Sequence, residues 1–210
     1  MPSSDHIVGI ILAGGRSQRF GGGDKGLATV GGRSILSRVI DRFRPQVSRL
    51  ILNANGDTQR FAQFGLQIVA DGDNPELGPL SGLLAGIDWA QEHAPGARVI
   101  ATVSADVPFL PSDLVERLEV HRNDGVAVAE SGGRRHPTIG LWPITTRPAV
   151  ADALTRGALS VDRLARDLNA VAVSFPMGEI GGTEIDPFFN INTRDDLSAA
   201  RVLAEKSIEG

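Results

Sequence analysis

The apolar run Ile7-Val8-Gly9-Ile10-Ile11-Leu12 passes without a break into a glycine-rich, charged segment ending at Gly26, and this junction constrains the fold more than any other feature of the chain. The run reads as a buried strand. The segment after it, Leu12 to Gly26, carries Arg16, Arg19, Asp24 and Lys25 among six glycines. Glycines let a backbone approach a ligand closely and turn its N–H groups toward it. Cations at fixed offsets then neutralise several negative charges together. α/β proteins hold nucleotide phosphates this way, outside the carboxyl ends of their strands. The segment therefore reads as a triphosphate cradle rather than a solvated glycine loop. Gly21, Gly23 and Gly26 match the dinucleotide spacing G-x-G-x-x-G, but too far beyond the strand end. Asp24 before Lys25 and Gly26 after it rule out a P-loop.

Further apolar, β-branched runs predict strands over 47–53, 66–70, 99–103, 126–129 and 171–175. Between them lie helical patterns. Ile35, Leu36, Val39, Ile40 and Phe43 share one face, with Pro45 closing the segment; a second helix opens after Gly82, a third after Pro111, and a fourth carries Val161, Leu164 and Leu168. Thr193 with Asp196 starts a last helix in capping-box fashion. This alternation implies a three-layer α/β/α fold with a mostly parallel, Rossmann-like sheet. The glycines, arginines and prolines between Ser131 and Pro148 break the rhythm and read as an insertion near the sheet's edge, part of a second binding surface. With no repeat or linker in 210 residues, one domain is the expected count, with frayed ends at about 1–5 and 206–210.

Composition excludes some classes. Acidic and basic residues are interspersed at a net charge of −4, leaving no basic stripe for a nucleic-acid backbone. Without cysteine there are no disulfides or thiolate metal sites. The N-terminal apolar run is short and lacks a basic flank, so neither a signal peptide nor a membrane span is expected, and a cytoplasmic location follows by default.

A cradled triphosphate suggests phosphoryl-group chemistry, in which positioning and charge neutralisation carry the catalysis. An acceptor that is itself a phosphate monoester, with a second pKa of ~6, needs no general base. That fits the absence of a nucleophile–base signature. Asp106 follows the run 99–103 and precedes Pro108, which places it at a strand's carboxyl end; it is either a turn cap or a Mg²⁺ ligand. Asp186 is a weaker second metal candidate. Lys25, supported by Arg19, is assigned to the triphosphate, and the backbone of Leu12, Ala13, Gly14 and Gly15 to the nucleotide. Asn53 and Asp71 end the next two strands and face the same crevice. Gly78 and Pro79 would place backbone near the base at a helix entry, or simply start the helix.

The pattern L-A-G-G-x-S-x-R-F-G-x-x-D-K resembles the signature of the molybdenum cofactor guanylyltransferases, nucleotidyltransferases with a glycosyltransferase-A-like core. The likeness continues in order through Asn53-Ala54-Asn55, Asp71, Gly78-Pro79-Leu80-Ser81-Gly82, Asp106-Val107-Pro108, His136-Pro137-Thr138 and Asn190-Ile191-Asn192-Thr193. Phe20 and Val107 depart from the family's commoner residues without touching the key groups. The resemblance implies transfer of GMP from GTP to molybdenum-molybdopterin, giving the guanine dinucleotide cofactor and pyrophosphate. It favours Asp106 as the Mg²⁺ ligand, Asn53 and Asp71 at the base and sugar, and His136, Pro137, Asn190 and Asn192 on the acceptor side. It also implies a monomer in transient contact with molybdopterin-handling proteins and molybdoenzyme chaperones. Alternatives are the cytidylyltransferase of the same cofactor, whose loop tends to read L-A-A-G, a sugar-phosphate nucleotidyltransferase, and a non-catalytic nucleotide-binding module.

Overall fold

A computed structural model of the chain describes residues 4–13, 25–72 and 77–206. Strand β1 (Ile7–Leu12) is followed by a short antiparallel ribbon of β2 (Thr29–Val30) and β3 (Arg33–Ser34), then helix α1 (Ile35–Phe43). Next come β4 (Arg49–Asn53), β5 (Gln67–Val69), α2 (Pro79–His93), β6 (Val99–Ser104) and α3 (Leu114–His121). The chain continues through β7 (Ala127–Ser131), β8 (Arg134–Pro143), α4 (Arg147–Thr155), α5 (Val161–Asp167) and β9 (Val171–Phe175). A second ribbon, β10 (Gly178–Ile180) with β11 (Thr183–Ile185), precedes α6 (Arg194–Lys206).

The main sheet has seven strands in the order β5-β4-β1-β6-β8-β7-β9. Every neighbouring pair is parallel except those involving β8, which runs against both β6 and β7. Alternation along each strand divides the apolar side chains between two layers. Ile7, Ile11, Leu52 and Val103 meet Leu36, Val39 and Phe43 of α1 and Leu114 and Leu118 of α3 on one face. On the other, Val8, Ile10, Ile51 and Ile100 meet Leu83 and Ile87 of α2 and the apolar faces of α4 and α5. A satellite cluster seats α6 on the first ribbon through Val30, Ile35, Leu197 and Ala200. The three-layer, mostly parallel expectation describes this architecture.

Register places the site. Leu12 pairs with Asn53 on one side and Ser104 on the other, and Asn53 pairs with Val69, so four parallel strands end together. The ladder runs one residue further, with Ala13 N–H donating to Asn53 O (2.9 Å) and Ala105 N–H to Leu12 O (3.1 Å). The residues that follow each strand therefore share one rim.

The stretch after Ser131 differs from its reading as an edge insertion. It forms β8, an interior strand. Gly132 at φ +53° and Gly133 at +76° make the β7–β8 turn, the left-handed pair that a two-residue hairpin demands. Its prolines sit where a ladder tolerates them. Ala129 pairs with His136 while Val128 pairs with Gly140, so Pro137 falls within a bulge; Pro143 ends the strand and Pro148 lies in the first turn of α4. α2 also begins earlier than its apolar spacing suggests, with Pro79 as first residue and Gly78 as N-cap.

Candidate functional site

Asp106 stands just beyond β6 on the common rim. Its Oδ1 is buried without a hydrogen-bond partner. Burial pushes its carboxyl up to about 6, against the opposing pull of the Lys25 ammonium and of its own backbone N–H. The charge of Lys25 therefore acts on this carboxyl at the strand ends. Lys25 opens a single 3₁₀ turn, Lys25–Leu27, and donates through Nζ to Asn192 Oδ1 at 2.7 Å. Ile191 N–H donates to Asp106 O at 3.0 Å, tying the Asn190–Asn192 segment to the same point. The capping box at the start of α6 fixes that segment: Asp196 Oδ2 accepts from the backbone of Asn192 and Thr193, and Thr193 Oγ1 accepts from Asp196 N–H.

Across β1, Asn53 and Asp71 also reach the rim but are almost wholly enclosed, 2% and 5% exposed. Asn53 Nδ2 donates to Asp71 Oδ1 (2.6 Å) and to Val69 O (3.1 Å). Asn55 closes a two-point clamp, Nδ2 to Asp71 Oδ2 at 2.8 Å and Oδ1 from Asp71 N–H at 2.9 Å. The first turn of α2 lies against them. A Cβ at Gly82 would collide with Asn53 Oδ1 and come within 2.8 Å of Leu12 Cδ2, so only glycine lets helix and strand ends approach so closely. Leu12, Ala13, Gly78 and Pro79 adjoin this network, where the sequence puts a nucleotide. Gly14, Gly15, Arg16, Arg19 and Asp24 lie outside the described residues.

His136, Pro137, Asn190 and Asn192, the four acceptor-side candidates, line one cavity of about 390 Å³, together with Arg134, Thr138, Asp186 and Phe189. The bulge in β8 turns His136–Thr138 toward the rim, and Ser104 Oγ donates to Thr138 Oγ1 at 2.9 Å across the β6–β8 boundary. Of the arginine pair, Arg135 donates to Ala170 O at 3.0 Å, a structural use, while Arg134 is exposed at the cavity. Asp186 is committed to hydrogen bonds, its Oδ1 accepting from Ser131 Oγ (2.7 Å) and Phe188 N–H (2.8 Å). That commitment leaves only Oδ2 for the metal role read from sequence. No group of three or more metal-ligating side chains occurs among the described residues. Asn55 and Ser131 are the functional neighbours that sequence reasoning left without a role. Asn55 had a signal in its Asn-x-Asn spacing; Ser131 had none.

A parallel sheet whose carboxyl rim carries a buried carboxylate opposite a lysine, beside a second polar cavity, is the frame of an α/β nucleotidyltransferase. Residues 9–171 match the MobA-like NTP transferase domain, and the chain belongs to that family. It is 46% identical to the molybdenum cofactor guanylyltransferase of Rhodopseudomonas palustris (strain BisB5), over 97% of this chain and 98% of the relative. To the protein of the same name from Mesorhizobium japonicum it is 45% identical over 94% and 96%. The fold is similar to the crystal structure of molybdopterin-guanine dinucleotide biosynthesis protein A from Archaeoglobus fulgidus, with TM-score 0.69 at 17% identity, covering 95% of this chain and 99% of that one. No helix among the described residues is long and apolar enough to cross a membrane.

Proposed function

We propose that the protein transfers GMP from GTP to the terminal phosphate of molybdenum-molybdopterin, forming the guanine dinucleotide cofactor and pyrophosphate. The observation that carries this reading is the unpartnered, buried Asp106 Oδ1 within the electrostatic reach of Lys25, which itself bonds Asn192 of the second cavity. Nucleotide and acceptor sites thereby meet at one point.

The lone carboxylate also fits a divalent cation. Leaving such an oxygen buried and unpaired is costly unless a positive charge joins it, and a single carboxylate with phosphate oxygens and water suits Mg²⁺ better than an all-protein cage. Asp106 would hold the ion, which supplies charge neutralisation at the α-phosphate. Lys25, with Arg19, binds the triphosphate and steadies the pyrophosphate as it leaves. The backbone of Leu12, Ala13, Gly14 and Gly15 lines the nucleotide. Asn53 and Asp71, with Gly78 and Pro79, form the wall that reads guanine, whose N–H groups need acceptors. The acceptor's ionised phosphate attacks without a base, so His136, Pro137, Asn190 and Asn192 orient it. We further propose that the chain acts as a single-domain cytoplasmic monomer that meets molybdopterin-handling proteins and molybdoenzyme chaperones only transiently.

The test is incubation with Mg²⁺, the molybdenum-loaded pterin and each labelled nucleoside triphosphate, following pyrophosphate release. Release with GTP and not CTP is the expected result. Preference for CTP would move the protein to the cytidylyl reaction, and release with neither would remove the reading.

A further inference from the structure

His136 does not stand alone in the acceptor cavity. Its Nε2 lies 2.8 Å from Ser131 Oγ, and that hydroxyl donates to Asp186 Oδ1 at 2.7 Å. Ser131 has one hydroxyl proton. An ionised carboxylate accepts only, and its Oδ1 already receives Phe188 N–H, so the serine proton belongs on the Asp186 side. Nε2 must then carry hydrogen and donate to Oγ. The chain of bonds runs from imidazole to hydroxyl to carboxylate. A hydrolytic triad runs the other way, with the carboxylate on the imidazole. Here the nearest direct approach of His136 Nε2 to Asp186 is 3.9 Å, and Ser131 is 1% exposed and out of reach of any substrate.

Phe188 packs on the imidazole at 4.9 Å between ring centroids and is braced edge-on by Phe175, which holds the ring's plane. Burial lowers the imidazole's pKa. Among its charged neighbours Arg134 pushes the same way, and Asp186 and Glu130 oppose it. At neutral pH the ring is therefore uncharged, and with the proton on Nε2, Nδ1 keeps its lone pair; among the described residues the hydrogen bond of the ring is the one through Nε2.

We propose that Ser131 and Asp186 are positioning residues that hold His136 as its neutral Nε2–H tautomer, so that Nδ1 accepts a hydrogen bond from an N–H group of the pterin ring. The inference rests on reading the cavity as the acceptor side. A bare nitrogen lone pair repels phosphate oxygens, so this wall suits the donor-bearing heterocycle. The acceptor's anionic end belongs nearer Arg134 and Lys25. Sequence could not show this, because Ser131, His136 and Asp186 meet only after the β7–β8 hairpin closes and the chain returns past β11.

The experiment is ¹⁵N NMR of the histidine rings in the full-length protein, with His136 assigned by its absence in His136→Gln. Wild type at neutral pH should show Nε2 protonated and Nδ1 bare. Ser131→Ala and Asp186→Ala should both lose that preference, while Asp186→Asn, which keeps an accepting oxygen, should retain it. Adding pterin should shift the Nδ1 resonance in wild type and not in Ser131→Ala. In turnover, Ser131→Ala should raise the acceptor KM roughly three- to tenfold, the scale of one lost hydrogen bond, with the GTP KM unmoved. An Nδ1–H tautomer or a charged ring in wild type overturns the proposal, as does an Nδ1 resonance indifferent to pterin. The NMR arm needs no catalysis, so its failure beside full GMP transfer refutes this inference alone. The predicted tautomer and shift without any transfer would instead refute the function proposed above.

Discussion

The two halves of the sheet's rim treat their carboxylates differently. On the β5-β4-β1 side, Asp71 is fully furnished: one oxygen accepts from Asn53, the other from Asn55, and its own N–H is satisfied by Asn55. Beyond β6, Asp106 is half-buried, with an enclosed Oδ1 left unpaired. Asp71 is built into a wall, whereas Asp106 keeps an oxygen that nothing among the described residues pairs. A paired carboxylate fixes shape. An unpaired one holds unfavourable energy that a cation relieves, which is how a site can favour a metal–nucleotide complex over either component.

Four substitutions probe that contrast. Asp106→Ala should cost the most, lowering turnover by a factor on the order of 10²–10³, as loss of one charge-stabilising group does; steady-state rates with an unchanged circular dichroism spectrum would check it. Lys25→Ala should lower kcat/KM for GTP by roughly 10–10²-fold, seen in GTP saturation curves. The third concerns stability and has a definite sign. Asp106 titrates near 3.8 when unfolded and about 6 when folded, so the folded state holds its proton longer. Stability is undiminished below the lower value, falls as pH rises between the two, and stays reduced above the upper one. Asp106→Asn, without metal, should therefore stabilise the protein by roughly 1–3 kcal/mol at neutral pH. The gain should shrink to nothing toward pH 4, read from denaturant melts across pH. Asn55→Ala should be mildest in turnover but opposite in stability, destabilising by about 1–2 kcal/mol because it strands the Asp71 N–H and one oxygen. Equal stability effects at Asp106 and Asn55 would erase the distinction between the unpaired and the paired carboxylate.

Much of the nucleotide half was legible in the sequence. β1 and β9 fall where their apolar runs predict them, and the other parallel strands within two residues. In a parallel sheet, strand ends in register automatically bring Leu12, Asn53, Asp71 and Asp106 to one rim. The acceptor half was harder to read. β8 runs antiparallel through the sheet's interior, and its Gly132–Gly133 turn and bulged Pro137 mimic the punctuation of an irregular insertion. α4 was missed because Pro148 and the small residues after it give a weak apolar stripe; its helix is held by packing on α2 rather than by its own pattern. Ser131 carried no signal because the residue it bonds, Asp186, lies 55 residues away.

The proposed role of Asp106, holding a divalent cation opposite Lys25 when nucleotide binds, has a thermodynamic consequence. Calorimetric titration of GTP into wild type and Asp106→Asn, with and without Mg²⁺, tests it most directly. GTP affinity should rise with Mg²⁺ in wild type and become indifferent to it in Asp106→Asn; the same Mg²⁺ dependence in both proteins would contradict the account.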